Sequence, residues 1–218
     1  MSVLYRLKFN LPQMKKNILI LFSFFAVLSL KAQVAPVYFY GNQVTTDRNK
    51  ATSYAIYGKL SAENIWTFKR YDLYDNLIQT GSYEDETLST PHGNFNFYMD
   101  IQTFNDFHNT KFKLKGKTRF LSQQGNFVHG VEQGKWMVYY PDGNVLSTQN
   151  YVNGELSGES KTFDKFGNVE EGGNYINGKK DGEWISMEGT RKDLYDNGVL
   201  KSSILIKQNR KEKRTTNQ

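Results

Sequence analysis

The sequence has no cysteine, three histidines and four prolines in 218 residues. The lack of cysteine excludes a disulfide framework, a thiolate nucleophile, an Fe–S cluster, a Cys-ligated zinc site and a lipidated cysteine anchor. His92, His108 and His129 are scattered, with no pair at a local metal-ligand spacing. There is no Gly-x-Ser-x-Gly elbow for a serine nucleophile and no strand–glycine loop–helix context for a phosphate cradle. The densest acidic run, Glu84-Asp85-Glu86, lacks the ligand pattern of a calcium loop and reads as solvated. No catalytic, metal or cofactor-binding residue is therefore assigned. Glycine (18), tyrosine (14) and phenylalanine (15) are what the chain does have, a mixture that favours strands and tight turns.

The N-terminus reads as an address. Met14-Lys15-Lys16 precedes an apolar stretch from Ile18 to Leu30, and Lys31-Ala32-Gln33 follows. A basic start, a short apolar core and a small residue before a polar one make a signal peptide, with cleavage expected between Ala32 and Gln33. The stretch falls short of the roughly 20 residues that span a bilayer, and no later run approaches that length, so no transmembrane segment is expected after cleavage. Met1 to Gln13 reads as a mis-called start upstream of Met14.

Removing residues 1–32, which hold five bases and no acid, takes the formal charge from +6 to +1. The tail 207–218 carries +4, so the body 33–206 carries −3. The high isoelectric point belongs to the two ends, and nucleic acid is not an expected partner. The tail has no apolar residue and reads as disordered.

The body repeats with a period of 24. Phe127, Tyr151 and Tyr175 keep this step, as do Gly130, Gly154 and Gly178, then Gly134, Gly158 and Gly182, then Trp136, Ser160 and Trp184. Tyr139, Phe163 and Met187 follow the same spacing. After Met187 the register slips by seven and resumes at Gly198, with Leu200 in the Val145 position. Each unit reads as a β-hairpin. Pro141-Asp142-Gly143 makes one tight turn, and Asn153-Gly154 and Asn177-Gly178 make the other kind. A lone hairpin is marginal, so the units must stack to bury their aromatic residues. The heptad Arg70 to Asn76 recurs nearly unchanged as Arg191 to Asn197, which suggests degenerate β repeats over 33–126 ahead of the regular ones over 127–206.

Tyr151-Val-Asn-Gly154-x3-Gly158, Tyr175-Ile-Asn-Gly178-x3-Gly182-Glu-Trp184 and Lys135-Trp136-Met-Val-Tyr139-Tyr140-Pro-Asp-Gly143 resemble the bacterial variant of the MORN repeat. The resemblance implies an all-β fold, an extended antiparallel single-layer sheet of stacked hairpins. It brings no catalytic residue. Some members carry antitoxin-like labels.

Two residue sets are candidate contacts. Lys111, Lys113, Lys115, Lys117 and Arg119 alternate with other residues, so a strand would align five bases on one face. That ladder suits an anionic surface, although a solvated edge that blocks aggregation explains it more simply. Trp136, Tyr139, Tyr140, Phe163 and Trp184 recur by repeat position. One set should pack the sheet and another could meet a partner. A thin sheet offers little of the deep cleft that tunes paired carboxylates, so enzyme is the minority reading.

The expected function is a secreted, non-catalytic scaffold that binds an unknown partner protein or cell-envelope component. The alternatives are an antitoxin- or immunity-like protein and a carbohydrate or anionic-surface binder. The junction at Ala32 resembles those of exported proteins of Bacteroidetes-type bacteria, which implies the periplasm or outer surface of a Gram-negative cell.

Overall fold

The computed structural model describes residues 36–60 and 64–206. The expected signal peptide, its Ala32–Gln33 junction and the basic tail lie outside these residues.

The chain forms β1 (Val37–Tyr40), β2 (Gln43–Thr45), β3 (Ser53–Lys59), β4 (Trp66–Asp72), β5 (Leu77–Tyr83) and β6 (Gly93–Asp100). Helix α1 (Ile101–His108) follows, then β7 (Arg119–Val128), β8 (Val131–Tyr139), β9 (Val145–Val152), β10 (Glu155–Leu156) and β11 (Gly158–Phe163). The last four strands are β12 (Val169–Ile176), β13 (Lys179–Ser186), β14 (Arg191–Asp196) and β15 (Val199–Leu205). All fifteen strands belong to one sheet, which from β3 to β15 runs in chain order, each strand antiparallel to the last. At the other end β1 lies between β3 and β2. Short β10 pairs β9 just before β11 does, and the Ser157 N–H between them donates to Asn150 O at 2.9 Å.

One face of the sheet is an aromatic ladder. Ring centroids step from Phe39 to Phe68 (6.2 Å), Tyr83 (5.4 Å), Phe95 (5.5 Å), Phe127 (4.9 Å), Trp136 (5.1 Å) and Tyr151 (6.2 Å). It resumes through Tyr175, Trp184 and Tyr195. Most of these contacts are edge-to-face, the arrangement the ring quadrupole prefers. Burying each fully covered ring contributes on the order of 2–3 kcal/mol before the entropy of ordering it.

Single-layer packing requires large and small residues to alternate across strands. A Cβ on Gly125 would stand 2.0 Å from Trp136, and one on Gly173 2.4 Å from Trp184. Each tryptophan thus lies flat over the glycine eleven positions before it, on the preceding strand. Ser160, the middle member of the tryptophan series, has Gln149 eleven positions before it, and the ladder is interrupted there.

The hairpin tips of one end share a type I′ turn. Residue pairs 129–130, 153–154, 177–178 and 197–198 all have positive φ at both positions. The second residue's N–H clips each hairpin to the preceding one: Gly154 to Glu132 O (2.9 Å), Gly178 to Leu156 O (2.8 Å) and Gly198 to Lys180 O (2.8 Å).

Three expectations need correction. The slip after Met187 is a four-residue shortening: Asn197-Gly198 is the counterpart of Asn177-Gly178, twenty residues on, and the residues lost come from the tight turn at 187–190. The repeated pentapeptide Asp-Leu-Tyr-Asp-Asn does not fold alike twice. Residues 72–76 are a turn, with Asp72 Oδ1 accepting from the N–H groups of Tyr74 and Asn76 at 2.9 Å, whereas 193–196 lie within β14. The true counterpart of that turn is 164–168, where Asp164 accepts from Phe166 and Asn168. Lastly, 33–126 is not strand repeat throughout, because α1 and the irregular stretch 109–118 interrupt it.

Candidate functional site

The insertion between β6 and β7 gathers most of the side chains singled out in the sequence. Asp100 caps α1, its carboxylate accepting from Thr103 N–H at 3.0 Å, and Asn109 ends the helix in the left-handed conformation, φ 52°. Phe104 is the anchor. It meets Phe120 at 5.4 Å, Phe112 at 5.9 Å and Tyr140 at 6.0 Å, all edge-on, in a cluster with Ile101, Leu114 and Leu146. Buried Asn105 acts as a surrogate strand for the following loop. Its amide donates to Phe112 O at 2.9 Å and accepts from Phe112 N–H at 2.8 Å and from Thr110 Oγ1 at 2.9 Å.

This clasp decides where the lysines go. Residues 110–118 are a loop with one isolated bridge, Leu114 to Lys117, so the expected five-base strand does not form. Phe112 and Leu114 turn inward and Lys111, Lys113 and Lys115 outward, which preserves the alternation without the strand; Lys117 is exposed on the bridge. Arg119 leaves the group, since it starts β7, donates to Tyr98 O at 3.1 Å and stands 3.8 Å from Asp72 Oδ2. Burial pushes the Asp72 carboxyl up, but the bonds from Asn76 and Tyr74 and the Arg119 charge together hold it below its ordinary value.

Lys115, Lys117 and Arg119 line a cleft of about 520 Å³ with Tyr139, Tyr140 and Asp142. Two lysines of the expected ladder, Arg119 and two of the aromatic candidates thus line one cleft. Tyr140 donates to Phe163 O at 2.8 Å, and burial, with Glu170, Asp164 and Asp142 nearby, raises its pKa. Tyr139 reaches Met137 Sδ at 3.6 Å, and burial raises its pKa too. A second hollow beside it is lined by Lys111, Phe112 and Lys165. Phe107 and Phe166 stand 84% and 78% exposed on the same insertion and on the turn after β11. The acids here hold their own local structure: Asp106 accepts from Gln102, Asp142 from Asn144 and Asp164 from Asn168.

The two tryptophan candidates are structural. Trp136 and Trp184 are buried at 5% and 3% exposure within the ladder, so neither belongs to a contact face. Trp184 Nε1 donates to Asn174 O at 3.1 Å, and Lys180 Nζ lies 3.9 Å from its ring centroid. Phe163 contributes its carbonyl to Tyr140.

Residues 132–153 match the family model described as the MORN repeat variant. The matched MORN unit comprises nearly all of β8, the Tyr140–Asn144 turn, β9 and the first corner residue of the next hairpin, so it ends where the clipped type I′ turn begins. The curated proteins contain no match to the chain. Among solved structures, a S. aureus TarM mutant in complex with fondaparinux, alpha-GlcNAc-glycerol and UDP aligns with a TM-score of 0.33 and 14% identity. That alignment covers 62% of this chain and 21% of the other, so the chain spans about a fifth of that protein's length.

One cluster was invisible along the sequence. Glu84 and His92 lie on the loop between β5 and β6, and His129 lies on the β7–β8 turn. The fold brings their ligand atoms within 4.8 Å of one another. His108, the third histidine, instead stacks on Phe104 at 4.2 Å.

Proposed function

We propose that this protein is an exported, non-catalytic repeat scaffold that docks an acidic partner protein of the cell envelope through the insertion at 101–118. One observation carries the reading. The sheet is interrupted by a prebuilt platform whose anchors, Phe104 and Asn105, are buried and whose outward side chains are Lys111, Lys113, Lys115 and Lys117 beside exposed Phe107. An exposed aromatic residue and four exposed lysines on one insertion supply the apolar and charged groups that protein interfaces combine. Cations of one sign steer an acidic partner and lose that effect in salt. The short repeat turns leave little room for such a surface elsewhere, and functional residues gather on loops that a rigid scaffold positions. The MORN resemblance supports a binding scaffold and brings no catalytic residue. Export rests on the leader sequence alone.

The test is a crosslinking pull-down from the native envelope with the 33–218 fragment at low and high salt, beside a Lys113→Glu/Lys117→Glu variant. One stoichiometric protein, captured by the wild type and lost with the variant, is the expected result. Recovery of anionic glycan or lipid alone transfers the platform to the surface-binding alternative. Tight one-to-one capture that ignores the charge reversal favours the antitoxin-like alternative, with its contact elsewhere on the sheet.

A further inference from the structure

We infer that Glu84, His92 and His129 form a binding site for one divalent transition-metal ion of the zinc, cobalt and nickel class. The first sign is a departure of the repeat from itself. The left-handed corner of the type I′ turn is asparagine at positions 153, 177 and 197, with φ 51°, 47° and 48°. At the corresponding corner His129 has φ 48°. Asparagine suits this conformation, so the turn has no need of an imidazole. The ring that replaces the amide reaches the neighbouring loop.

There it meets two further ligand groups. Glu84 Oε1 lies 2.8 Å from His92 Nδ1 and 2.6 Å from His129 Nδ1, and the two rings are 5.3 Å apart. In the repeat, the corner N–H is capped by a side chain of the preceding unit: Asn153 N–H donates to Gln133 Oε1 at 2.9 Å and Asn197 N–H to Asp181 Oδ1 at 3.1 Å. His92 Nδ1 takes that role for His129 N–H at 3.4 Å. The same Nδ1 faces Glu84 Oε1 at 2.8 Å, where it donates if it carries the ring proton and offers a lone pair if that proton sits on Nε2. With both ring protons on Nε2, the two Nδ1 lone pairs and the Glu84 carboxylate converge on one point that a cation can fill.

The backbone holds these groups in place without a metal. Glu84 N–H donates to Thr90 O at 3.0 Å and His92 N–H to Ser82 O at 2.9 Å, so the two residues face each other across the neck of their loop. Asp85 fixes the loop by accepting from Ser89 N–H at 3.1 Å and Thr90 N–H at 2.7 Å. Gly130 N–H, next to His129, donates to Pro91 O at 2.9 Å and ties the turn to the loop. Two imidazole nitrogens and one carboxylate oxygen, with no sulfur, suit zinc-like ions better than calcium or magnesium. With metal–ligand bonds of about 2.0–2.2 Å, tetrahedral ligand atoms stand roughly 3.3–3.5 Å apart, so the two carboxylate–imidazole separations need open by less than about 1 Å. They are free to do so, because Glu84, His92 and His129 are 32%, 31% and 75% exposed. The remaining coordination position faces solvent and takes water.

The test is calorimetric titration of the tag-free protein with zinc chloride, repeated by cobalt absorption spectroscopy. His129→Asn restores the residue the other three turns use, so its fold and metal-free melting temperature should match the wild type. The expected result is saturable one-to-one binding by the wild type, weakened more than about 100-fold in His129→Asn. Zinc should raise the melting temperature of the wild type and leave that of the variant unchanged. Absence of saturable binding, or equal binding by both proteins, overturns the inference.

Discussion

From β8 to β15 the connections are tight turns, and each type I′ tip is clipped to the hairpin before it. Between β5 and β7 the chain departs twice, into the loop 84–92 and the insertion 101–118. Both halves share one sheet and one aromatic ladder, with Gly81 beneath Phe95 playing the part that Gly125 plays beneath Trp136. The difference lies in what the side chains are free to do. In the regular half, one face is committed to the ladder and the turn residues to holding positive φ or capping a neighbour. The departures carry residues released from those duties. The lysine platform and two of the three clustered ligands sit on them, and the third, His129, stands at the corner whose counterparts at 153, 177 and 197 are asparagine.

The largest effect should come from breaking the ladder where the halves join. Trp136→Ala removes the ring that links Phe127 to Tyr151 and should destabilise the protein by about 3–5 kcal/mol in urea denaturation. Next is the interruption at Ser160. Ser160→Trp restores the residue of the neighbouring units but meets Gln149 instead of glycine, so it should destabilise by about 3 kcal/mol. Adding Gln149→Gly should recover most of that loss. A double-mutant coupling below about 0.5 kcal/mol would show that the glycine eleven positions earlier is not what seats each tryptophan.

A smaller and local effect is expected in the insertion. Asn105→Ala leaves the N–H and carbonyl of Phe112 without their partner and should cost about 2 kcal/mol. Faster amide exchange should be confined to α1 and 109–118, and spread into β8 and β9 would show that the platform is part of the main cooperative unit. The smallest effect is at Tyr54, whose hydroxyl donates to Asp75 Oδ1 at 2.6 Å. That bond, with lesser help from burial and the nearby Asp75 charge, pushes its pKa from 10.0 to about 12. The neutral phenol is favoured by folding, so the contribution is whole below the unfolded value and fades as pH rises through about 12. Ultraviolet titration of Tyr54→Phe should lack this late-titrating phenol. A titration curve unchanged by the substitution would sink the assignment.

The β-hairpins, their two turn types and the aromatic stripe were legible because each depends on residues close in sequence. Asn153-Gly154 favours its turn wherever it lies, and the recurrence of tryptophan and glycine reports a surface that must be covered. The helix was not legible. Ile101 to His108 is eight residues within a stretch of strand formers, and it forms because Asp100 caps it and Phe104 finds Phe112, Phe120 and Tyr140. The lysine alternation was visible, but its meaning depended on Asn105 taking a strand partner's place. The identical pentapeptides were misleading, since five residues do not determine whether Asp caps a turn or pairs in a strand.

By itself, then, the sequence determined the all-β architecture, its hairpin unit and the need to stack, because backbone turn preferences and side-chain alternation act over a few residues. Only the tertiary structure decided which strand each glycine faces, where the lysines gather and that Glu84 and His92 meet His129 across some forty residues of chain. Those outcomes depend on strand register, which the whole sheet sets at once.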